Sequence, residues 1–350
     1  MDALLVIARF LHFASSLLVL GEIVFAAVIA SALSLNDDGQ SVANARYRRL
    51  VRVGAVALVI SVASGALWFV AKAVEMSGLS LQEAMNRDTL GRVLLETTFG
   101  RVWLLRGAFA LGIGALLFGL ARTRDKRMVF GFAFSLLPLA SAYVGALAWA
   151  GHAAGGQGFR GEAQLFADVV HLVAASAWLG ALPALVFALR RATSQQAFTL
   201  ARRFSALGIG TVSALTLTGI FNTWVLVGSF PALLETEYGC TLCAKLVLFG
   251  LMVVLALVNR LRLTPRLADA DSGSQRALTR NATLEAGAGI GVLALVAVLG
   301  IMVPAVHHMH QHHHEAATTR ESPRQAHELP PAAKPLRSGS ATAKALPPSA

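Results

Sequence analysis

Apolar residues in this chain run in long, nearly unbroken stretches, not in the short patches of a soluble domain. Eight such stretches lie at about 4–30, 50–73, 99–120, 128–151, 165–189, 204–228, 240–262 and 283–306. Each reaches the roughly 20 residues that an α-helix needs to cross a bilayer. The pattern predicts an all-α, polytopic membrane protein with eight transmembrane helices. The first stretch reads as a retained helix: Met1, Asp2 and Ala3 supply no basic n-region, and the run is too long for a signal peptide. From about residue 315 the chain turns to Pro, Ala, Ser, Thr, Lys, Arg and Glu without apolar periodicity, which predicts a disordered tail.

Composition agrees with that pattern, since only 14% of residues are charged and the mean hydropathy is +0.62. The formal charge of +11 is a matter of topology and excludes nothing by itself until its placement is read. Arg46, Arg48, Arg49 and Arg52 follow the first stretch; Arg122, Arg124, Lys126 and Arg127 follow the third. Arg190, Arg191, Arg202 and Arg203 follow the fifth, and Arg260, Arg262, Arg266, Arg276 and Arg280 the seventh. The opposite connections carry only Lys72, Arg87, Arg92 and Arg160. This is the positive-inside bias; it puts both termini outside the cytoplasm, in the periplasm of a Gram-negative cell, and speaks against nucleic-acid binding.

The two halves of the chain echo each other. His12 is followed by Gly21 nine residues later, and His171 by Gly180 at the same distance. Arg49, Gly54 and Gly65 are matched in spacing by Arg203, Gly208 and Gly219. Phe99-Gly100 precedes Arg106 as Tyr238-Gly239 precedes Lys245, and Gly145 stands before His152 as Gly300 stands before His307. These matches predict two four-helix repeats, 1–155 and 160–306, followed by a tail at 307–350. Because four is even, the repeats are parallel and related by an axis along the membrane normal.

Candidate chemistry centres on ionisable residues inside apolar spans, which are costly there and mostly mark binding or conduction. Asp168 and His171 are three residues apart and share a helix face. His12, His152 and His307 complete the candidate metal set, with His152 and His307 at the outer helix ends. Each histidine taken alone has an ordinary alternative, a hydrogen bond to a neighbouring helix. Arg106 and Lys245 are expected to form structural ion pairs with Asp168, Glu22 or Glu285. Cys240 and Cys243, one turn apart, are secondary ligand candidates whose plainer role is packing, because the equivalent positions are Arg101 and Leu104. Met302 and Met309 flank His307 and join the secondary set, although a methionine in an apolar helix is commonly filler. His308, His310, His312, His313 and His314 make the start of the tail a metal-capture segment by composition. Imidazole and thioether together suit copper better than magnesium or calcium. Trp68, Trp103, Trp149, Trp178 and Trp224 read as interfacial anchors.

On these residues the chain resembles the copper resistance protein D (CopD/PcoD) family of bacterial inner-membrane proteins. The resemblance is carried by Arg9-Phe10-Leu11-His12, Gly151-His152-Ala153, Asp168-x-x-His171 with Trp178-Leu179-Gly180, and Arg203-Phe204-Ser205. Tyr238-Gly239 with Lys245, Asn259-Arg260 with Pro265, and Glu285 complete it, so it spans all eight stretches. The resemblance implies copper handling at the inner membrane, with copper uptake served by a periplasmic CopC-type copper carrier.

The expected function is therefore copper transport from periplasm to cytoplasm, with the copper ion as bound or transported species and no enzymatic activity. No Walker-type G-x-x-x-x-G-K is present to supply ATP energy. Two other readings stay open at this level. One is a b-type haem redox protein with histidine axial ligands. The other is a non-transporting copper receptor, or an assembly factor for a periplasmic copper carrier.

Overall fold

The structure is a computed structural model that describes residues 2–31, 39–123, 126–151, 158–269 and 272–303, and its regular elements are all helices. The long ones begin with α1 (Asp2–Val24), which runs on into a π turn at Phe25–Ile29, and α2 (Gly39–Ser77). Two short helices, α3 (Leu81–Ala84) and α4 (Arg87–Glu96), lead into α5 (Thr98–Arg122). Next comes α6 (Lys126–Gly145), closed by a 3-10 turn at Ala146–Ala150. The second half holds α7 (Gly158–Leu179), α8 (Leu182–Leu189), α9 (Ser194–Val227), the short α10 (Phe230–Glu235) and α11 (Glu237–Val258). A π turn at Asn259–Leu263, α12 (Thr264–Arg266) and α13 (Ser272–Leu299) complete it.

Among the described residues, seven helical segments are long and apolar enough to cross a membrane: Ala3–Ile29, Tyr47–Ser77, Thr98–Arg122, Gly158–Leu189, Ser194–Val227, Glu237–Arg266 and Gly273–Leu299. The fourth expected span is represented by a shorter apolar helix, Phe134–Ala150, preceded by Lys126 and Arg127 and interrupted by Pro138. Leu111, Leu217 and Val247 are among the large apolar side chains left exposed, a surface that only lipid accommodates.

Hydroxyl caps set where two spans begin. Thr97 accepts from the Gly100 amide at 2.9 Å and starts α5; Thr236 accepts from the Gly239 amide at 3.0 Å and starts α11. Gly100 and Gly239 each press against the backbone of the preceding short helix, where a Cβ would overlap carbonyl oxygens. Each half therefore enters its third long helix by the same corner.

α1 lies at the centre, packed on α2, α6, α7 and α13. It meets the end of α7 at Gly21 and Gly180, where two backbones touch because neither residue carries a Cβ. Toward its C-terminal end, Glu22 is 2% exposed and paired bidentately with Arg49, at 2.7 and 3.2 Å. Arg203 forms no ion pair among the described residues and donates to the Val28 carbonyl and the Ser31 hydroxyl, just past α1.

Candidate functional site

One face of α7 carries Gln164, Asp168 and His171, spaced so that they stack along the helix. They line a cavity of about 610 Å³ whose other walls come from α9, α11, α13 and α1. Asn222 of α9 donates to Asp168 Oδ1 at 2.6 Å. Thr218, one turn earlier on α9, lies 2.8 Å from His171 Nδ1 and gives its own hydroxyl proton to the Ala214 carbonyl at 2.6 Å. With that proton committed, His171 must donate from Nδ1–H, which fixes the tautomer and leaves Nε2 as a free electron pair. Among the described residues Nε2 has no hydrogen-bond partner, and neither does the buried Asn222 Oδ1.

Cations share this cavity. Lys245 of α11 is the electrostatic neighbour of Asp168, yet the two form no ion pair within 4.0 Å. Arg9 of α1 reaches the wall over Gly300, where any Cβ would overlap its guanidinium, and stacks 4.5 Å from the Trp68 ring centroid. The expected ion pairs of Arg106 and Lys245 are therefore not formed: Glu22 is taken by Arg49, and Glu285 faces a different cavity.

His12 has a different fate. Its Nδ1–H donates to the Ser61 carbonyl at 2.8 Å, and its Nε2 accepts from Arg106 Nη2 at 2.8 Å. Arg106 is 1% exposed, stacks over Tyr143 and donates also to the Tyr143 carbonyl and the Ser16 hydroxyl. Ser61 Oγ in turn joins Ser16 Oγ and the Tyr143 hydroxyl, at 2.7 and 2.6 Å. Both ring nitrogens of His12 are thus engaged, which leaves none for a metal ion or for haem iron in this arrangement. Trp68 and Trp103 pack edge-on against the ring.

The spacing noted in the sequence pairs His12 with His171, and the same offsets pair Trp68 with Asn222, Trp103 with Leu242 and Arg106 with Lys245. In the first half three large side chains fill the space beside the histidine. In the second half three smaller or shorter ones leave the cavity open, and all three line it. Gly65 and Gly219 sit against the two imidazoles in the same way, with their Cβ positions 2.9 and 3.9 Å from the respective Cε1 atoms.

Of the candidate ligands, Asp168 and His171 share the cavity, while His12 is held in the first half and does not line it. His152, His307, His308, Met309, His310, His312, His313 and His314 lie outside the described residues. Cys240 and Cys243 are free thiols turned toward the Leu234 and Leu233 carbonyls of α10, away from the cavity. Met302 packs on the apolar cluster around Tyr238 and Leu242. Among the described residues no three His, Cys, Asp or Glu side chains converge as a metal site. Two tryptophans expected at the interfaces, Trp68 and Trp178, are instead fully buried, whereas Trp224 is exposed as an anchor should be. Thr218 and Asn222 were not singled out from the sequence, although both flank the glycine that packs on His171.

The family profile described as copper resistance protein D matches residues 198–299, and that described as copper resistance protein D-like, N-terminal domain, matches residues 1–162. Copper resistance protein D of Pseudomonas syringae pv. tomato is 31% identical over 263 residues, covering 71% of this chain and 81% of that protein. The chain belongs to the copper resistance protein D family. Inner membrane protein YebZ of Escherichia coli (strain K12) is 27% identical over 299 residues, 85% of this chain and 97% of the relative. Copper transport protein CutJ of Bacillus subtilis (strain 168) is 29% identical over 223 residues, 63% of this chain and 38% of the relative. Together with the apolar helices, these place this member of the family in the inner membrane as a multi-pass protein.

Proposed function

We propose that the protein conducts copper across the inner membrane, from the periplasmic face inward, through the cavity of its second half. The observation that carries this reading is the free Nε2 of His171 beside Asp168 inside a cavity of about 610 Å³. Imidazole nitrogen is a good donor for copper, and its tautomer is held correctly by Thr218. Two strong donors are fewer than the closed four-ligand set of a structural site. An ion that must leave again needs that weakness.

In this reading α6 completes an eighth span, the two four-helix repeats stand parallel, and both termini are periplasmic. His152 and His307 receive the ion at the outer mouth, and the histidine-rich segment 307–314 or a CopC-type carrier raises its local concentration. His12 serves as the buttress of the first half, where Arg106 occupies the place that copper takes in the second.

Purified protein reconstituted in vesicles that enclose a copper indicator tests the reading. Entry of copper into wild-type vesicles with loss in His171→Ala is the expected result. Binding without entry would replace transport by a receptor or assembly role, and equal entry in wild type and variant would remove His171 from the path.

A further inference from the structure

A second cavity, of about 240 Å³, lies on the arginine-rich side of Trp178, which lines both cavities. Glu285, in the middle of α13 and only 1% exposed, faces it together with Asn259, Arg260, Ser205 and Thr264. Asn259 Nδ2 donates weakly to Glu285 Oε2 at 3.4 Å, and Trp178 lines the cavity beside them. Glu285 Oε1 and Asn259 Oδ1 are both buried and have no partner among the described residues.

Two orphaned acceptors on one interacting pair call for explanation, because buried polar atoms are almost always paired. Exchanging the nitrogen and oxygen of the Asn259 amide does not help. The exchanged orientation sets the amide oxygen against Oε2 and leaves both carboxyl oxygens without a donor. Arg260 does not supply one: its guanidinium goes to the Ser205 hydroxyl at 2.8 Å and the Ser205 carbonyl at 3.4 Å, with no ion pair to Glu285 within 4.0 Å. Among the described residues, Glu285 of α13 and Arg260 of the π turn are the titratable groups that line this cavity. The placement of Asn259 is built in, since it opens a π turn whose carbonyl is held by the Thr264 hydroxyl at 2.8 Å. Such turns recur at functional sites.

We propose that Glu285 and Asn259 bind a small hard cation, a proton or a sodium ion, on the inner side of Trp178. The donors are all oxygen, which suits a hard monovalent ion better than copper. A bound cation satisfies both orphaned acceptors at once. This goes beyond the copper reading and does not depend on it, because it uses neither Asp168 nor His171.

Infrared difference spectroscopy on the full-length protein in lipid nanodiscs tests it, with a pH step in sodium-free buffer as one arm and a sodium step at fixed pH as the other. Wild type should show a carboxyl response to at least one step: appearance of a protonated carboxyl stretch identifies the proton, and a shift of the carboxylate stretches identifies sodium. The part of that response that belongs to Glu285, read as the wild-type spectrum minus that of Glu285→Gln, should be present, should shift in frequency in Asn259→Leu, and should persist in His171→Ala. Identical responses in wild type and Glu285→Gln overturn the proposal. If Glu285→Gln does not fold, an Asn259→Leu response equal to wild type overturns it. A Glu285 response to copper alone, with none to either step, also overturns it in favour of a metal station. Loss of copper entry in His171→Ala bears only on the outer cavity.

Discussion

Gly21 of α1 rests directly on Gly180 at the end of α7, and a Cβ on either would overlap the other's chain. The two glycines stand nine residues after His12 and His171 respectively, so like positions of the two halves meet each other. Self-matching contact of this kind is what a two-fold axis between repeats requires, and it supports the proposed duplication. Gly21→Ala or Gly180→Ala should destabilise the fold by about 1–3 kcal/mol, the usual range for overpacking. Gly107→Ala, at a glycine with open space around it, should be neutral or mildly stabilising. Thermal unfolding of the three variants in one detergent makes the comparison, and equal melting temperatures would remove the crossing from the account.

The pair Arg106 and Lys245 offers an exchange experiment. Lys245→Arg places in the 610 Å³ cavity the side chain that already fills the matching position of the first half. It should bring a donor to His171 Nε2 and abolish copper entry while leaving the melting temperature near wild type. Arg106→Lys removes bonds from His12, Ser16 and the Tyr143 carbonyl. A buried partner left without its bond costs about 1–3 kcal/mol. That variant should therefore melt lower, with copper binding per folded molecule unchanged. Vesicle uptake beside thermal unfolding separates the two outcomes.

The helices were legible in the sequence because membrane spans are written in composition and length, and the shared face of Asp168 and His171 followed from helix geometry. Which of two matched histidines is open was not legible. It depends on Trp68, Trp103 and Arg106 being larger than Asn222, Leu242 and Lys245, and that difference matters only once three helices of each half bring them beside the histidine. Ion pairing was missed for a related reason. Glu22 finds Arg49 across two helices, and no spacing rule links residues 27 apart. The apolar stretches also understated α2 and α9, whose helices run past the apolar part into arginine-bearing turns where hydropathy falls but helical hydrogen bonding continues.

Thr218 should matter to copper without touching it. Thr218→Val keeps the shape of the side chain and removes the oxygen that fixes the His171 tautomer. Partners of this kind are worth roughly 10–100-fold in metal affinity, so copper titration of the purified protein should weaken by that amount. His12→Ala is the contrast: it breaks the Ser61 and Arg106 bonds and should lower stability while leaving copper affinity per folded molecule unchanged. Reversed phenotypes would make the first half the copper-binding one.

Trp178 is the side chain that lines both cavities, 2% exposed and set edge-on to Phe249 with ring centroids 6.1 Å apart. If it is the partition between an outer copper chamber and an inner site for a hard cation, shrinking it should join the two. Trp178→Ala would open that connection but costs about 3–5 kcal/mol as a core truncation, so Trp178→Phe is the more informative variant. It keeps an aromatic ring against Phe249 while thinning the wall. Vesicles carrying Trp178→Phe should leak protons or sodium in the absence of copper, read by a trapped dye, where wild-type vesicles stay tight. Vesicles as tight as wild type, from protein that unfolds at the wild-type temperature, would mean that the barrier between the cavities lies elsewhere, in the packing of Leu215, Met252 and Val253.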